Sequence, residues 1–595
     1  GLGIPHSDGN TTLCMASAVS GYKATFGSDG PPSSYADLEV ADCLLLIGAN
    51  IADNHPLLAP RVLRNEHGVV VAVDPRVTKT TMLADRHVPL LPRTDITFLN
   101  GLIRQVLADD LIDRPFIDAS TVGLDRLRRD VADYTPDVVA VECGISADDV
   151  VAVARTFGRA ERGMIAWTMG VNHSEQGTDT VALINTLCAI TGNIGRPGTG
   201  PMSITGQCNA MGTRETGFTA SMPGYRAYDD PSHRAELAEL WAVDVDRLPT
   251  ERGRAYPDIV DGVLDGTIKA LWVIATNPLV SFPNRVRTEQ ALRELDLLVV
   301  QDAFETPTTE LADIVLPAAT WGEKDGTYTN SERRVSRARA AVPPPGRAEP
   351  DFDIFLRVAD AAGVADDVFP GWKVPEDAYE EWRRVSAGRP CDHSGITYDL
   401  IDAEGGVQWP CTADVPGGTA HLYADGRFHH PDGRAHLTSV DAVPFGDQPD
   451  SEFPLVLNTG RTVEHWHTRT KTGRAAVLEH LVPEAWMSIN PTDARSVGVS
   501  SGDRARLVSR RGAVSGVLVR VTETVRAGEV FVPMHFDEAC VNHLTVDAFD
   551  PISREPNYKQ CAIRVEADSM RARWRARGAD EIRVEDDPHL HRFRR

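Results

Sequence analysis

Cysteine is scarce enough in this chain for each copy to be weighed, and Cys14, in DGNTTLCMASA ahead of a stretch with helical pattern, stands out. A thiol near a helix N-terminus has its thiolate stabilised by free backbone N–H groups, which suits a nucleophile or a soft-metal ligand; the plain alternative is a buried structural cysteine. A second set of candidates ends short apolar runs: Gly48-Ala49-Asn50, Asp74-Pro75-Arg76, Ala275-Thr276-Asn277 and Gln301-Asp302. Small, amide and carboxylate residues where a strand stops are where α/β domains hold nucleotides, although turns after strands hold the same residues and each is weak alone. Asp74 follows Gly48 by 26 positions, a spacing at which an acid reaches a ribose or a guanine edge. No G-x-G-x-x-G occurs, which argues against an ordinary nicotinamide or flavin site. His465 and His467 alternate as residues on one side of a strand would, a metal-pair pattern. They lack a third ligand at the usual spacing, so a cofactor contact is the better reading. Lys324 in EKDG is one of only seven lysines, and by default a surface charge.

The elements that must position these residues follow from apolar patterning. ADCLLLIGAN from Ala41 and GVVVAVDPR from Gly68 are continuous apolar runs bounded by turn residues, the pattern of strands buried on both faces of a parallel sheet. The helical stretch between them completes a β-α-β unit. LWVIATNP from Leu271, the helical RVRTEQALRELD, LLVVQDAF and ADIVLPAAT form a second such block. VALINTLCAIT reads as a buried helix that runs into a loop, GNIGRPGTGP. After a stretch rich in Gly, Pro, Asp and His, short β-type runs from Phe453 predict a barrel. The fold class expected is α/β: two doubly wound α/β domains over 1–195 and 196–386, a connecting region over 387–450, a C-terminal β-barrel over 451–566 and a tail, helix or coil, over 567–595.

Composition narrows the partners. The 595 residues carry 61 Lys+Arg against 85 Asp+Glu, a net charge of −24 that repels nucleic-acid backbones and anionic lipid. About 54 of the 61 bases are Arg, the balance of a salt-rich cytosol or a GC-rich genome. Nine cysteines without a C-x-x-C pair exclude a disulfide framework and fit a reducing, cytoplasmic setting. No apolar run reaches the roughly 18 residues of a membrane span, and no signal peptide is visible. The sequence begins at Gly1 without Met, so a start upstream is expected.

Six ordered segments carry a resemblance: NTTLCMASA, TMGVNHSEQGTDT, GPMSITGQCNAMGTRE, WGEKDGTYTNSERRVSR, TGRTVEHWHT and NHLTVDAFDPISREPNYKQCA. Together they resemble the signatures of the molybdopterin oxidoreductase superfamily, of DMSO reductase-like fold, and most nearly the catalytic subunit of assimilatory and periplasmic-type nitrate reductases. The resemblance implies two molybdopterin guanine dinucleotides around one molybdenum, with Cys14 as the protein's metal ligand and Asn10 among the cofactor contacts. It carries Gly48, Ala49, Asn50, Asp53, Asp74, Arg76, Thr78 and Asp95 over as contacts in the first block, and Asn277, Gln301, Asp302, Lys324 and Asp351 in the second. In the barrel the matches are Thr459, Gly460, Arg461, Glu464, His465, Trp466, His467, Thr468, Asn542 and Lys559. Met169 fits the family pattern, whereas His173 stands where a Gln is usual.

By the same resemblance the chemistry is oxygen-atom transfer: nitrate, two electrons and two protons give nitrite and water. Arg214 is the candidate for orienting nitrate, with Met211 and Gln207 shaping the pocket. A [4Fe-4S] cluster bound by an N-terminal Cys motif is expected in the full-length protein, since no such motif precedes Cys14. The electron donor is expected to be ferredoxin, flavodoxin or a reductase subunit. Formate dehydrogenases share the cofactor and the QCNAMG stretch, but usually place a His after the metal-ligand residue, where this chain has Met15. A non-catalytic electron-transfer subunit of the same fold should have lost Cys14 and the TGRTVEHWHT loop, and both are present.

Overall fold

A computed structural model describes residues 4–568. The tail expected over 567–595 therefore lies almost wholly outside the described residues. The first apolar runs form β1 (Cys43–Ile47), β2 (Val69–Val73) and β3 (Arg86–Val88). After a two-residue strand β4 (Thr121–Val122) come β5 (Gly163–Trp167) and β6 (Gly200–Ser203). They make one parallel sheet in the order β3-β2-β1-β5-β6. Every residue of β1 and β5 is buried, as continuous runs without polar alternation require. Successive strands leave β1 on opposite sides, so the order reverses between β1 and β5, and a crevice opens at their carboxyl ends.

The predicted boundary at 195 falls inside this unit, because β6 lies beyond it and pairs with β5. Its sequence, GPMS, reads as loop and becomes a strand only because β5 offers an unpaired edge. The predicted buried helix is Gly177–Ile190, buried at every position but Asp179. It packs on the helix Ala16–Phe26, where a Cβ on Gly21 would come within 2.4 Å of Val181, so glycine sets the approach of the two helices.

The second block supplies β7 (Ala270–Ile274), β8 (Leu297–Asp302) and β9 (Ile314–Pro317), parallel and in sequence order. A small sheet of β10 (Gly326–Thr329), β11 (Arg334–Ala338) and β12 (Val407–Gln408) follows, and β13 (Ala435–His436) pairs with β4. The barrel predicted from Phe453 closes from β14 (Leu455–Gly460), β15 (Trp486–Ile489), β16 (Arg504–Ser509), β17 (Ala513–Val521), β18 (Glu529–Pro533) and β19 (Cys561–Ala567). Leu457, Met487, Ile489, Val517 and Val530 fill its core.

Residues 387–450, expected only to connect, pack into the core of the first unit. Trp409, Tyr423 and Phe428 join Tyr22 and Phe26 there, with the Phe26 and Phe428 rings 5.3 Å apart. Fully buried Arg333 ties this segment down by donating to the carbonyls of Pro31, Thr419 and Ala420 at 2.7–2.9 Å and to that of Trp409. Arg333→Ala leaves the carbonyls of Pro31, Trp409 and Thr419 without a donor in a dry interior, while that of Ala420 keeps the Ser34 hydroxyl. It is expected to cost about 3–5 kcal/mol, read as a lowered denaturation midpoint, with Arg333→Lys nearly as damaging because an ammonium cannot span the fork.

Candidate functional site

The metal-ligand candidate is placed from the carboxyl end of β5. Trp167 Nε1 donates to Asn172 Oδ1 at 2.9 Å, and Asn172 Nδ2 donates to the carbonyl of Cys14 at 3.3 Å. Cys14 follows a one-turn 3₁₀ helix, Asn10–Leu13, and precedes the helix Ala16–Phe26. Its Sγ donates to Gln207 Oε1 at 3.1 Å and lies 3.7 Å from Met169 Sδ. The expected stabilisation of the thiolate by the helix end is outweighed: burial pushes the Cys14 thiol up to about 11. It is a protonated thiol until a cation displaces the proton. Eight of the nine cysteines are buried and Cys208 is exposed. Brief iodoacetamide treatment of the cofactor-free chain is expected to label Cys208 and spare Cys14, as peptide mass spectrometry would show.

Cys14 opens into a cavity of about 240 Å³. Its walls come from the carboxyl end of the second sheet (Asn277, Asp302), from the barrel (Thr459, Gly460, Arg461, Asn542, Lys559) and from the loop carrying Trp466, His467 and Thr468. Asn10, Met169, His173 and Gln207 also line it. A second cavity of about 70 Å³ lies at the carboxyl end of the first sheet, lined by Gly48, Asn50, Asp74, Arg76 and Asp95. The two share Asn54, Met169, Thr459, Gly460, Arg461 and Lys559 as common wall.

The sheet ends behind the cavities are built to one plan. Gly48 and Ala275 leave β1 and β7 with φ of 54° and 53°. Gly48 N donates to Val73 O, and Ala275 N donates to Gln301 O. Two residues later, Asn50 accepts from Thr80 Oγ1 at 2.8 Å and Asn277 from Thr308 Oγ1 at 2.7 Å. Asp74 and Asp302 end the next strands, and Thr78 and Thr306 cap short helices through Thr81 and Thr309. Asp85 and Asp313 each accept from the backbone near the start of β2 and β8. The chain thus presents two equivalent strand-end cradles to a single barrel. The similarity is hidden in the sequence because it lives in seven matched positions of two otherwise different segments.

Charge decides what the cavities suit. Arg461 and Lys559 belong to the common wall and Arg76 to the second cavity, and none of the three makes an ion pair among the described residues. Burial pushes the Lys559 amine down to about 7, helped by Arg76 and Arg461. Although Asp74, Asp95 and Asp302 also line the cavities, such unpaired cations in a protein of net charge −24 form a site for a polyanion. His467 Nε2 and Asn54 Oδ1 in the first cavity, and Arg93 Nη2 in the second, are buried without a hydrogen-bond partner. No group of three or more His, Cys, Asp or Glu side chains suited to a metal occurs among the described residues. A lone thiol facing a polar, cationic, two-armed cavity fits a metal that brings its other ligands on a phosphate-bearing organic carrier.

Several expected contacts lie elsewhere. Arg214, 1% exposed, is turned away from the cavity onto Asp29, with Nε to Oδ2 at 2.9 Å, so it is placed to hold the core and not to orient an anion. Arg461 is the arginine that faces the cavity beside Cys14. Met211 is fully buried in the core. His465 and His467 are not on a strand: His467 has φ of 44° in an irregular loop, and His465 is tied to Val482 O and Thr472 behind it. Asp53 pairs with Lys79, Thr78 serves as a helix cap, and Ala49 packs in the core. Gln301 and Lys324 both bind Asp351, forming a brace behind β8. Glu464 lines neither cavity. Thr276, named with its strand end, lines the first cavity, whereas Lys471, Tyr558 and Arg93 line the cavities without having been singled out and are signalled by no pattern.

Two acids near the second cavity titrate high: burial raises Asp95 to about 6 and Glu529 to about 7. The folded chain then binds more protons than the unfolded chain between about pH 4 and pH 7, so these groups favour folding below that window and the contribution is lost as pH rises through it. The cofactor-free chain is expected to lose thermal stability from pH 5 to pH 7.5. Asp95→Asn with Glu529→Gln should flatten that fall in a melting series.

Comparison with known proteins agrees with this construction. Residues 4–361 match the family described as Molybdopterin oxidoreductase, and 455–562 match the Molydopterin dinucleotide binding domain. The chain is 38% identical over 579 residues to the nitrate reductase of Synechocystis sp., covering 95% of this chain and 81% of that protein. It is 40% identical to the assimilatory nitrate reductase of Haloferax mediterranei (95% and 78% covered) and 37% identical to the F420-dependent formate dehydrogenase subunit alpha of Methanocaldococcus jannaschii (93% and 80% covered). Among solved structures, acetylene hydratase from Pelobacter acetylenicus shares the fold, with a TM-score of 0.74 over 95% of this chain at 20% identity. With two strand-end cradles, a dinucleotide-binding barrel and a thiol between them, the chain belongs to the molybdopterin oxidoreductase family of enzymes.

Proposed function

We propose that the chain reduces nitrate to nitrite at a molybdenum held between two molybdopterin guanine dinucleotides. The observation that carries this reading is a wall shared by two cavities that presents the unpaired cations Arg461 and Lys559, with the Cys14 thiol in one cavity and Arg76 in the other. The strand-end cradles would each hold one nucleotide, and Cys14 would hold the metal. The bound group supplies the electron pair and the exchange of an oxygen atom. Arg461 draws a monoanion toward Cys14 against the overall negative field, and Gln207 offers its amide 3.1 Å from the thiol. Met169, Trp466 and Tyr558 limit water at the same wall.

Formate oxidation is the second reading, supported by the comparable identity of formate dehydrogenases. Against it, the residue after Cys14 is Met15, fully buried in the core, so no imidazole follows the ligand to take a proton. We assign the full-length protein a [4Fe-4S] cluster, a ferredoxin- or flavodoxin-type donor and a cytoplasmic location as part of the same reading. Among the described residues no helix is long and apolar enough to cross a membrane. Purified full-length protein carrying molybdenum should reduce nitrate with reduced viologen and leave formate untouched. Formate oxidation without nitrate reduction would overturn the assignment in favour of the second reading.

A further inference from the structure

The proposed reading fills both cavities described above with dinucleotide, so the substrate must reach Cys14 from a side the carriers leave open. Another cavity, of about 750 Å³, lies at the far end of the helix Ala16–Phe26, which begins two residues after Cys14. Lys23 and Ser28 from that helix end, Tyr225, Arg252 and Arg389 form its walls, and it shares no lining residue with the other two.

The charges of this lining are sorted by depth. Lys23 is half-buried, and among the described residues it makes neither a hydrogen bond nor an ion pair; its Nζ stands 5.8 Å from the centre of the Tyr225 ring. The Tyr225 hydroxyl is itself buried without a partner. Arg252 and Arg389 are half-buried and loosely held, each 3.7 Å from one carboxylate, Asp8 and Glu236 respectively. Asp229 and Glu251 also line the cavity, and both are exposed. The acids are thus the solvent-facing part of the lining and the cations the sheltered part. Burial lowers the Lys23 amine, with Asp29 opposing and Arg252 and Arg214 adding to the fall. An ammonium left in such a wall without a counter-ion is costly, and an anion beside it removes that cost.

The Asp29–Arg214 pair adjoins this cavity: both charges act on Lys23 and Tyr225, and Arg214 acts on the Cys14 thiol as well. From this arrangement we infer that the cavity is an outer binding site for a small oxyanion, which Lys23, Arg252 and Arg389 collect from solvent before it moves to the metal. The inference rests on the oxidoreductase reading above. The volume exceeds what one such anion fills, so the anion keeps part of its water and the site works by charge rather than by shape. A sheltered patch of positive charge raises the local anion concentration where the net charge of −24 would lower it. Nitrate and formate are both monoanions, and the site serves either.

Chloride-35 NMR of the full-length holoenzyme reads the site without turnover, since dinucleotides then occupy the other two cavities. Excess chloride line broadening that nitrate displaces is expected, with at least half of it lost in Lys23→Met. No such broadening, or broadening unchanged in Lys23→Met, would overturn the site. In nitrate turnover at full molybdenum content, Lys23→Met should lower kcat/KM by about tenfold with kcat held within about twofold. Lys23→Arg should restore most of that loss, and Arg252→Gln should lower kcat/KM in the same way but by less. A fall in kcat with KM held, or kcat/KM unchanged in both Lys23→Met and Arg252→Gln, would overturn the collecting role. If the wild type does not reduce nitrate, the functional reading fails while the chloride result still decides for or against the site.

Discussion

Replacing Cys14 with alanine is expected to lower turnover by at least about a thousandfold while leaving most of the dinucleotide bound. Groups that merely orient a metal's ligands cost roughly 10–100-fold when removed, and the only thiol in the cavity stands closer to the chemistry than those. Retention follows from where the binding free energy resides. Two strand-end cradles and the cations Arg76, Arg461 and Lys559 act on phosphates and guanines, and none of them touches Cys14 through a hydrogen bond. Molybdenum and guanine nucleotide should therefore be assayed together with activity in the purified full-length variant. Activity within tenfold of wild type would remove the thiol from the metal site. Loss of the nucleotide along with activity would show that the metal, not the cradles, anchors the carrier.

Gly48→Ala is expected to destabilise the first unit by about 3 kcal/mol, and the two cradles separate its causes. Conformation is the smaller one, because Ala275 adopts φ of 53° at the equivalent position of the second cradle. The larger one is contact: a Cβ on Gly48 would lie 2.6 Å from Gly170 Cα and 2.8 Å from its carbonyl carbon, which are backbone and cannot turn aside. Gly170 N donates to Gly48 O at 3.1 Å and Thr168 Oγ1 does so at 2.8 Å, so parting the two glycines breaks the seam between β1 and β5. Gly433→Ala is the matched control, with φ of 71° and nothing within 4 Å. It should cost about 1 kcal/mol, the conformational part alone. Equal shifts of the denaturation midpoint for the two variants would refute the contact argument.

What could be read from the sequence followed from patterns with a physical period. The runs CLLLI and VVVAV are strands because burial on both faces leaves no room for polar alternation, and the helix Gly177–Ile190 is legible from its mostly apolar stretch VALINTLCAI. Strand-end residues such as Asn50, Asp74, Asn277 and Asp302 could be proposed as contacts because the ends of parallel strands are where ligands sit. Three kinds of feature were closed to that reasoning. The 387–450 segment is anchored by Trp409, Tyr423 and Phe428 at irregular spacing, so nothing periodic announces its burial. Arg214 faces Asp29 and not the cavity, a choice made by a partner far off in the chain. The two histidines of EHWHT alternate without a strand, because the loop turns through a left-handed residue at His467.

The walls of the junction are contributed by residues from Asn10 to Lys559. On the ribosome Cys14 therefore emerges long before Lys559, the most C-terminal residue of that wall. During synthesis Cys14 has no finished place to hold anything, and the burial that raises its thiol arises only once those walls have closed. Cofactor delivery becomes an event of the finished chain, timed by the docking of the last barrel strand.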